Sequence, residues 1–345
     1  MRKTRRGGGE NMVIGGYSGT KILSSPDGNT WIGRTPNAFG SIANGVAYGN
    51  GLWVAVGNNN GNASIKTVST SSDGITWNGQ TSNGGITECF NVAYGKNSLG
   101  NGVWVMCGQN KIATSPNGTS WAARATNGGL DSEIRNVAFG KDNLGADLWI
   151  ATGFTSVSTK LNIVRSTDGG NTWVACATNG GIKTVANCAA YGLDGSGQPL
   201  WVAGGEGGLG GNTIATSTDG NTWYPCDNSK VGGLTINVRG VAYGKDDLGV
   251  GLWVAVGEGT NRIATSPNGT TWTGRSVAGL TNSGNSVAYG KNNLGIGLWI
   301  AVGNGGNLIA TSSNGTAWTG IAPNGGGYYY NGNIYDRIHC VAFKN

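Results

Sequence analysis

The sequence predicts an all-β chain built as a seven-bladed β-propeller of four-stranded antiparallel blades, and three observations predict it. Glycine is abundant, at 66 of 345 residues, whereas proline is scarce at 7, a balance that suits many short strands joined by tight turns. Three phrases, VAYG, LWVAVG and IATSxDGxTW, recur in that order along the chain. The chain opens on the second and third phrases and closes on a lone first phrase, so a strand from each end is expected to share one blade.

The first phrase, or a variant of it, occupies residues 46–49, 92–95, 137–140, 189–192, 241–244 and 287–290, with Val341, Ala342 and Phe343 as the last copy. The second carries Trp53, Trp104, Trp149, Trp201, Trp253 and Trp299, and residues 11–16 (NMVIGG) stand in for it at the start. The third ends in Trp31, Trp77, Trp121, Trp173, Trp223, Trp272 and Trp318, so the repeat accounts for all 13 tryptophans. Each phrase alternates large and small residues with period two, as a strand requires, and the run after each third-phrase Trp supplies a fourth strand. Four strands in about 45 to 50 residues match a propeller blade. Pairing the two ends completes the first blade and removes the free sheet edges that invite aggregation.

Residues 1–10 (MRKTRRGGGE) show no strand pattern and are expected to form a disordered basic leader ahead of one propeller domain, 11–345. The formal charge is +6, and Arg2, Lys3, Arg5, Arg6 and Glu10 contribute +3 of it, which leaves the body about +3. That is too sparse for a nucleic-acid-binding stripe, so nucleic acid is not expected as a partner except through the leader. No apolar run is long enough for a membrane span, and the leader lacks the apolar segment of a secretory signal, so a soluble protein is expected. Cys89, Cys107, Cys176, Cys188, Cys226 and Cys340 show no CxxC spacing and sit in strand-like runs. They read as small buried hydrophobes of a protein made in a reducing compartment, and neither cofactor nor metal is expected.

The third phrase resembles the Asp-box (BNR) repeat, S-x-D-x-G-x-T-W, of sialidases and many non-catalytic propellers. Residues 166–173 have the full spacing, and the other copies are one residue shorter. The resemblance implies a turn in which Asp27, Asp73, Asp168 and Asp219, or Asn117, Asn268 and Asn314 in their place, bond the turn backbone. Glycine takes the left-handed backbone and each Trp fills the gap between neighbouring sheets. Asn in three copies favours a structural turn over a metal site. The phrase pattern is also similar to propeller repeats of bacterial surface and phage proteins and of large DNA viruses of algae and protists. That likeness implies a virion or virus-encoded protein.

Loops between first and second strands should lie on the same face as these turns. Residues 96–102, 141–147, 245–251 and 291–297 follow a K-[ND]-[NDS]-L-G pattern that reads as a regular rim held by a buried Leu, whereas Asn50-Gly51 reads as a two-residue hairpin turn. Asp246-Asp247 and Asp142 with Asp147 read as solvated turns, because Asn292-Asn293 replaces them elsewhere. The opposite face is irregular and is the expected place for recognition. It carries the loops 58–64, 154–162 and 205–212 and the connector 323–339, where Tyr328, Tyr329, Tyr330 and Tyr335 cluster beside Arg337 and His339. Those rings present apolar faces with polar tips, fit for a sugar or a protein, or else they cover the join between the chain ends.

One position before each first phrase, Asn44, Phe90, Arg135, Asn187, Arg239, Asn285 and His339, should face the channel mouth or a blade interface. Such a ring suits an anionic or polyhydroxyl ligand, or it bonds neighbouring blades together. His339 is the only histidine, without a second His or a Cys close in sequence to make a metal site or base.

Three functions follow. A binding propeller would take a glycan or protein through its irregular face, at Tyr328, Tyr329, Tyr330, Tyr335, Arg135, Arg239, Arg337 and His339. A structural or virion component would dock by its faces without a small ligand. A sialidase-like glycoside hydrolase would use Arg135, Arg239 and Arg337 as a triad, but glutamate is scarce and no Arg-Ile-Pro segment occurs, so no enzyme is expected.

Overall fold

The computed structural model describes residues 10–17, 21–125, 127–157, 161–277, 280–321 and 337–344. The leader residues 1–9 and the tyrosines Tyr328, Tyr329, Tyr330 and Tyr335 lie outside the described residues.

Every sheet is antiparallel, and the one helical element among the described residues is a 3-10 turn at Asn228–Lys230. The strands Asn237–Lys245, Gly251–Glu258, Ile263–Ser266 and Thr273–Arg275 show the plan, pairing in chain order. Five sheets have four strands and a sixth has eight. The eight-stranded sheet is two four-strand runs that meet at the single pair Glu206 and Asn237. The two chain ends share a sheet, because Met12–Tyr17 pairs with Arg337–Phe343 in a register that sets Met12 opposite Phe343 and Ile14 opposite Val341. First strands touch one another in succession, and Arg337–Phe343 touches both Ser283–Lys291 and Ala43–Gly49.

The core lies between adjacent sheets. One cluster joins Val13, Ile22 and Cys340 of one sheet to Val46, Trp53 and Trp77 of the next. Another joins Met12, Ile14 and Phe343 to Ile300 and Val302. Each second-phrase Trp is no more than 1% exposed and stacks at a tilt on the aromatic residue of its own first phrase, as in Tyr243 with Trp253 at 5.0 Å. Four of these indoles reach back to a carbonyl of the preceding first strand: Trp149 donates to Lys96 O, Trp201 to Lys141 O, Trp253 to Leu193 O and Trp299 to Lys245 O, each at 2.8 Å, whereas Trp53 Nε1 is buried with no acceptor among the described residues. All six cysteines are buried and free, and burial pushes the Cys89, Cys176, Cys188 and Cys340 thiols up to about 12.

The glycine of VAYG has a specific job. A Cβ on Gly49, Gly95, Gly140, Gly192, Gly244 or Gly290 would fall 2.2 to 2.3 Å from the ring of Tyr94, Phe139, Tyr191, Tyr243, Tyr289 or Phe343 in the next first strand. No side chain fits there. At the join of the chain ends Lys344 takes the glycine's place, and its Nζ sits over the Tyr48 ring at 5.6 Å.

The third-phrase turns share one bonding pattern. Ser25 Oγ accepts from Gly28 N and donates to Asp27 Oδ1, which also accepts from Asn29 N and Thr30 N at 2.9 Å, and the Trp31 indole donates to Gly28 O. Asn268 accepts from Thr270 N and Thr271 N in the same way, which is why Asn and Asp interchange. The longer turn inserts Gly169, and Asp168 still accepts from Asn171 N and Thr172 N. Asp73, Asp219, Asn117 and Asn314 repeat the arrangement. Trp77, Trp121, Trp173, Trp223, Trp272 and Trp318 are buried behind them.

Two sequence expectations need correction. Leu99, Leu144, Leu248 and Leu294 of the rim loops are 74–87% exposed, not buried. The cause is the residue after each lysine: Asp246 Oδ1, for example, accepts from Leu248 N and Val250 N, so the polar side chain curls inward and the Leu is left at the tip. Glu10, assigned to the leader, is buried against the body and pairs with Arg34 at 2.7 Å. Asn50-Gly51 does make a tight hairpin, with both residues at positive φ.

The inter-sheet glycine is open to test. Gly244→Ala should cost about 1–3 kcal/mol by forcing the Tyr289 ring off its seat. Gly249→Ala, whose Cβ meets nothing within 4 Å, should show only the backbone strain of its own positive φ, which Gly244 does not carry. Chemical denaturation of the two variants checks the difference.

Candidate functional site

The seven positions before the first phrases converge on one cavity. Asn44, Phe90, Arg135, Asn187, Arg239, Asn285 and His339 all line a space of about 700 Å³, together with Glu88, Glu133 and Arg337. Their placement has a backbone cause that the periodicity did not reveal. Each first strand breaks register with its partner at that residue: Ala43 pairs with Gly57 and Gly45 with Val56, which leaves Asn44 as the extra residue of a β-bulge. The same slip occurs around Phe90, Arg135, Asn187, Arg239 and Asn285, and around His339 in the sheet shared by the chain ends. A bulge turns a side chain out of the alternation of the strand. Here it turns the residue toward the cavity, whose wall further along the strands includes the buried Val92, Val137 and Val241.

Several of these side chains also tie neighbouring sheets. Asn44 Nδ2 donates to Cys89 O at 2.9 Å, Asn187 Nδ2 to Val238 O at 3.1 Å, and Asn285 Nδ2 to Ile338 O at 2.9 Å. Arg135 bonds Asn187 Oδ1 and Glu133, each at 2.8 Å. Arg239 pairs with Glu258 at 2.8 Å through Nη2, while its Nε is buried without a partner. Gln109 donates to Glu88. Of the ring, Phe90 and His339 take no part in these ties. Glu133, Glu258 and Glu88 are neighbours of the ring that the sequence did not reveal, since they appear next to it only once the bulges place it.

The electrostatics are uneven. Burial, and then the charges of Arg337 and Arg239, pull the His339 imidazole down to about 4, so it is neutral at physiological pH. Arg337 is exposed and has no carboxylate partner among the described residues. Among the described residues no group of three or more His, Cys, Asp or Glu is placed to hold a metal ion. No helix is long and apolar enough to cross a membrane.

No family model matches the chain, and no curated protein sequence matches it. Solved structures do. A lectin, BP39L from Burkholderia pseudomallei, superposes with a TM-score of 0.58 at 14% identity, covering 92% of this chain and 100% of that one. The GH74 enzyme of Niastella koreensis gives 0.53 at 19% identity over 90% of this chain, which spans 44% of the enzyme's length. YCF48, in a structure with a D1 peptide bound, gives 0.53 at 14% identity, covering 86% of this chain and 92% of that one. These likenesses establish a β-propeller-like fold. They include a lectin, a glycoside hydrolase and a peptide-bound protein, so the fold is consistent with binding and does not by itself specify a partner.

Two pH windows separate the scaffold from the cavity. His339 is depressed in the folded state, so its share of stability is present above pH 6.5 and is lost as the pH falls from 6.5 toward about 4. His339→Gln should abolish that step. Burial alone would raise Asp27, Asp73, Asp168 and Asp219, but the turn amides and serine hydroxyls outweigh it and hold them below the usual 3.8. Their contribution is present above that value and is lost below it. Changing the four to Asn should flatten stability below pH 4 and leave the His339 step in place, as melting curves across pH will show.

Proposed function

We propose that this chain is a closed, seven-bladed propeller of Asp-box-like repeats that binds a glycan or protein partner, without catalysis, at the channel mouth on its irregular face. One observation carries the reading. The bulge recurs at the same place in each first strand, yet the residue it holds changes from Asn to Phe, Arg or His. The scaffold therefore needs the bulge and is indifferent to much of what fills it. Variation at a fixed, cavity-facing position is the pattern expected where a ligand sets the side chain.

The closed count is supported by the joins between first strands and by the splitting of the eight-stranded sheet into two four-strand runs. The absence of catalysis is supported by the state of the cavity's carboxylates. Glu133 is tied to Arg135 and Glu88 to Gln109, whereas a hydrolase needs one carboxyl kept protonated and a second free to attack or to activate water. Phe90 is the ring residue best suited to test binding, because its side chain makes none of the inter-sheet bonds. Its aromatic face can stack on a sugar or an apolar side chain.

Screening the protein on a glycan array and against peptide libraries should give saturable, competable binding. Phe90→Ala should weaken it by about tenfold, the equivalent of about 1.4 kcal/mol. Leu248→Ala, on the opposite rim, should leave it unchanged. Binding that ignores Phe90 but responds to the rim would move the site to the other face.

A further inference from the structure

Around the channel mouth the charges are sorted by sector. On one side Glu88 accepts from Gln109, and Glu133 and Arg135 neutralise each other while Arg135 also binds Asn187. On the other side stand Arg239, Asn285, Arg337 and His339, contributed by successive first strands. Here the bonding is incomplete. Arg239 gives one terminal nitrogen to Glu258 and leaves its Nε–H buried with no acceptor. Arg337 has no ion-pair partner among the described residues, and the charges of both guanidiniums bear on the His339 imidazole. A buried donor without an acceptor is a standing cost, and two cations around a neutral ring leave a site that a single negative group would complete.

We propose that Arg239, Asn285, Arg337 and His339 bind the carboxylate of an acidic saccharide of the uronic acid type. This rests on the channel being the recognition site. A carboxylate would give Arg239 Nε–H an acceptor and Arg337 a partner that neither has among the described residues, in the forked geometry that guanidinium groups prefer. The rest of the ring suits a sugar body. Phe90 faces the space from the far sector with an apolar surface for the C–H face of a pyranose. A volume of about 700 Å³ falls within the range of small-molecule sites and accommodates one or two sugar units.

His339 supplies the readout, since it is the only histidine in the chain and its imidazole resonance in untagged protein has no competitor. Titrations would follow that resonance, with calorimetry in parallel, using D-glucuronate, D-glucose and acetate. Glucuronate should bind at least tenfold more tightly than glucose or acetate. It should also raise the His339 pKa from about 4 by about one unit or more, as an adjoining negative charge does. Arg337→Gln should abolish both the preference and the shift, and Arg337→Lys should retain part of each. Melting curves would confirm that both variants are folded.

Equal binding of glucose and glucuronate overturns the anion site, and so does a glucuronate preference that survives Arg337→Gln. Acetate binding as tightly as glucuronate overturns the saccharide. The two readings fail separately. If Phe90→Ala abolishes array binding while glucuronate leaves His339 unmoved, the channel stands and the uronate is wrong. If glucuronate moves His339 but Phe90→Ala leaves array binding intact, the anion site stands and the partner is recognised elsewhere.

Discussion

The contact between a glycine and the aromatic ring of the next first strand is the constraint on which the rest of this structure depends. Gly244 against Tyr289 brings two sheets so close that a methyl group cannot enter, and that approach in turn sets the Trp indoles within reach of the preceding strand's carbonyls. The spacing also buries the aliphatic clusters on both sides. Packing and hydrogen bonding therefore agree at the joins of Trp149, Trp201, Trp253 and Trp299, a local consistency that favours one arrangement over its competitors. The join of the two chain ends departs from this pattern: Lys344 lies over Tyr48, and Trp53 Nε1 is buried with no acceptor among the described residues.

Much of the architecture was legible because it is written in repeats. Period-two alternation and the order of the phrases placed the strands, and the lone VAF at 341–343 announced that Arg337–Phe343 would pair with Met12–Tyr17. What escaped was anything decided by a departure from regularity. The bulge at Asn44 or Arg239 leaves no mark in the alternation, because one extra residue in a strand reads the same as a slightly longer strand. Leu248 looked like a core residue by its type, yet the Asp246 carboxylate fixes the loop so that the Leu points to water. Side chain to backbone bonding overrode hydrophobicity there, and composition alone does not reveal when it will.

The candidate site was half visible. The ring positions were legible as a set because they precede a constant motif, but their partners were not. Glu258 lies in the second strand and meets Arg239 where the bulge breaks the register, and Glu133 precedes Arg135 by two residues in a run that reads simply as polar. The cavity wall does two jobs: its asparagines bridge neighbouring strands, while Phe90, His339 and the adjoining Arg337 make no such bond among the described residues. Residues without inter-sheet ties thus stand among structural ones without replacing them, which lets a cavity of varied chemistry sit on a uniform wall.

The pairing of Met12–Tyr17 with Arg337–Phe343 has a further consequence, for kinetics. Nearly every other inter-sheet contact joins neighbours along the chain, so those sheets can assemble by local propagation from any starting point. The terminal pairing alone must wait until residues more than 300 positions apart meet. Its entropic cost grows only as the logarithm of the intervening length, and a nearly complete array already holds the ends close. Joining the ends is thus the natural last step of folding, and the order in which strands emerge during synthesis sets the time at which it becomes available.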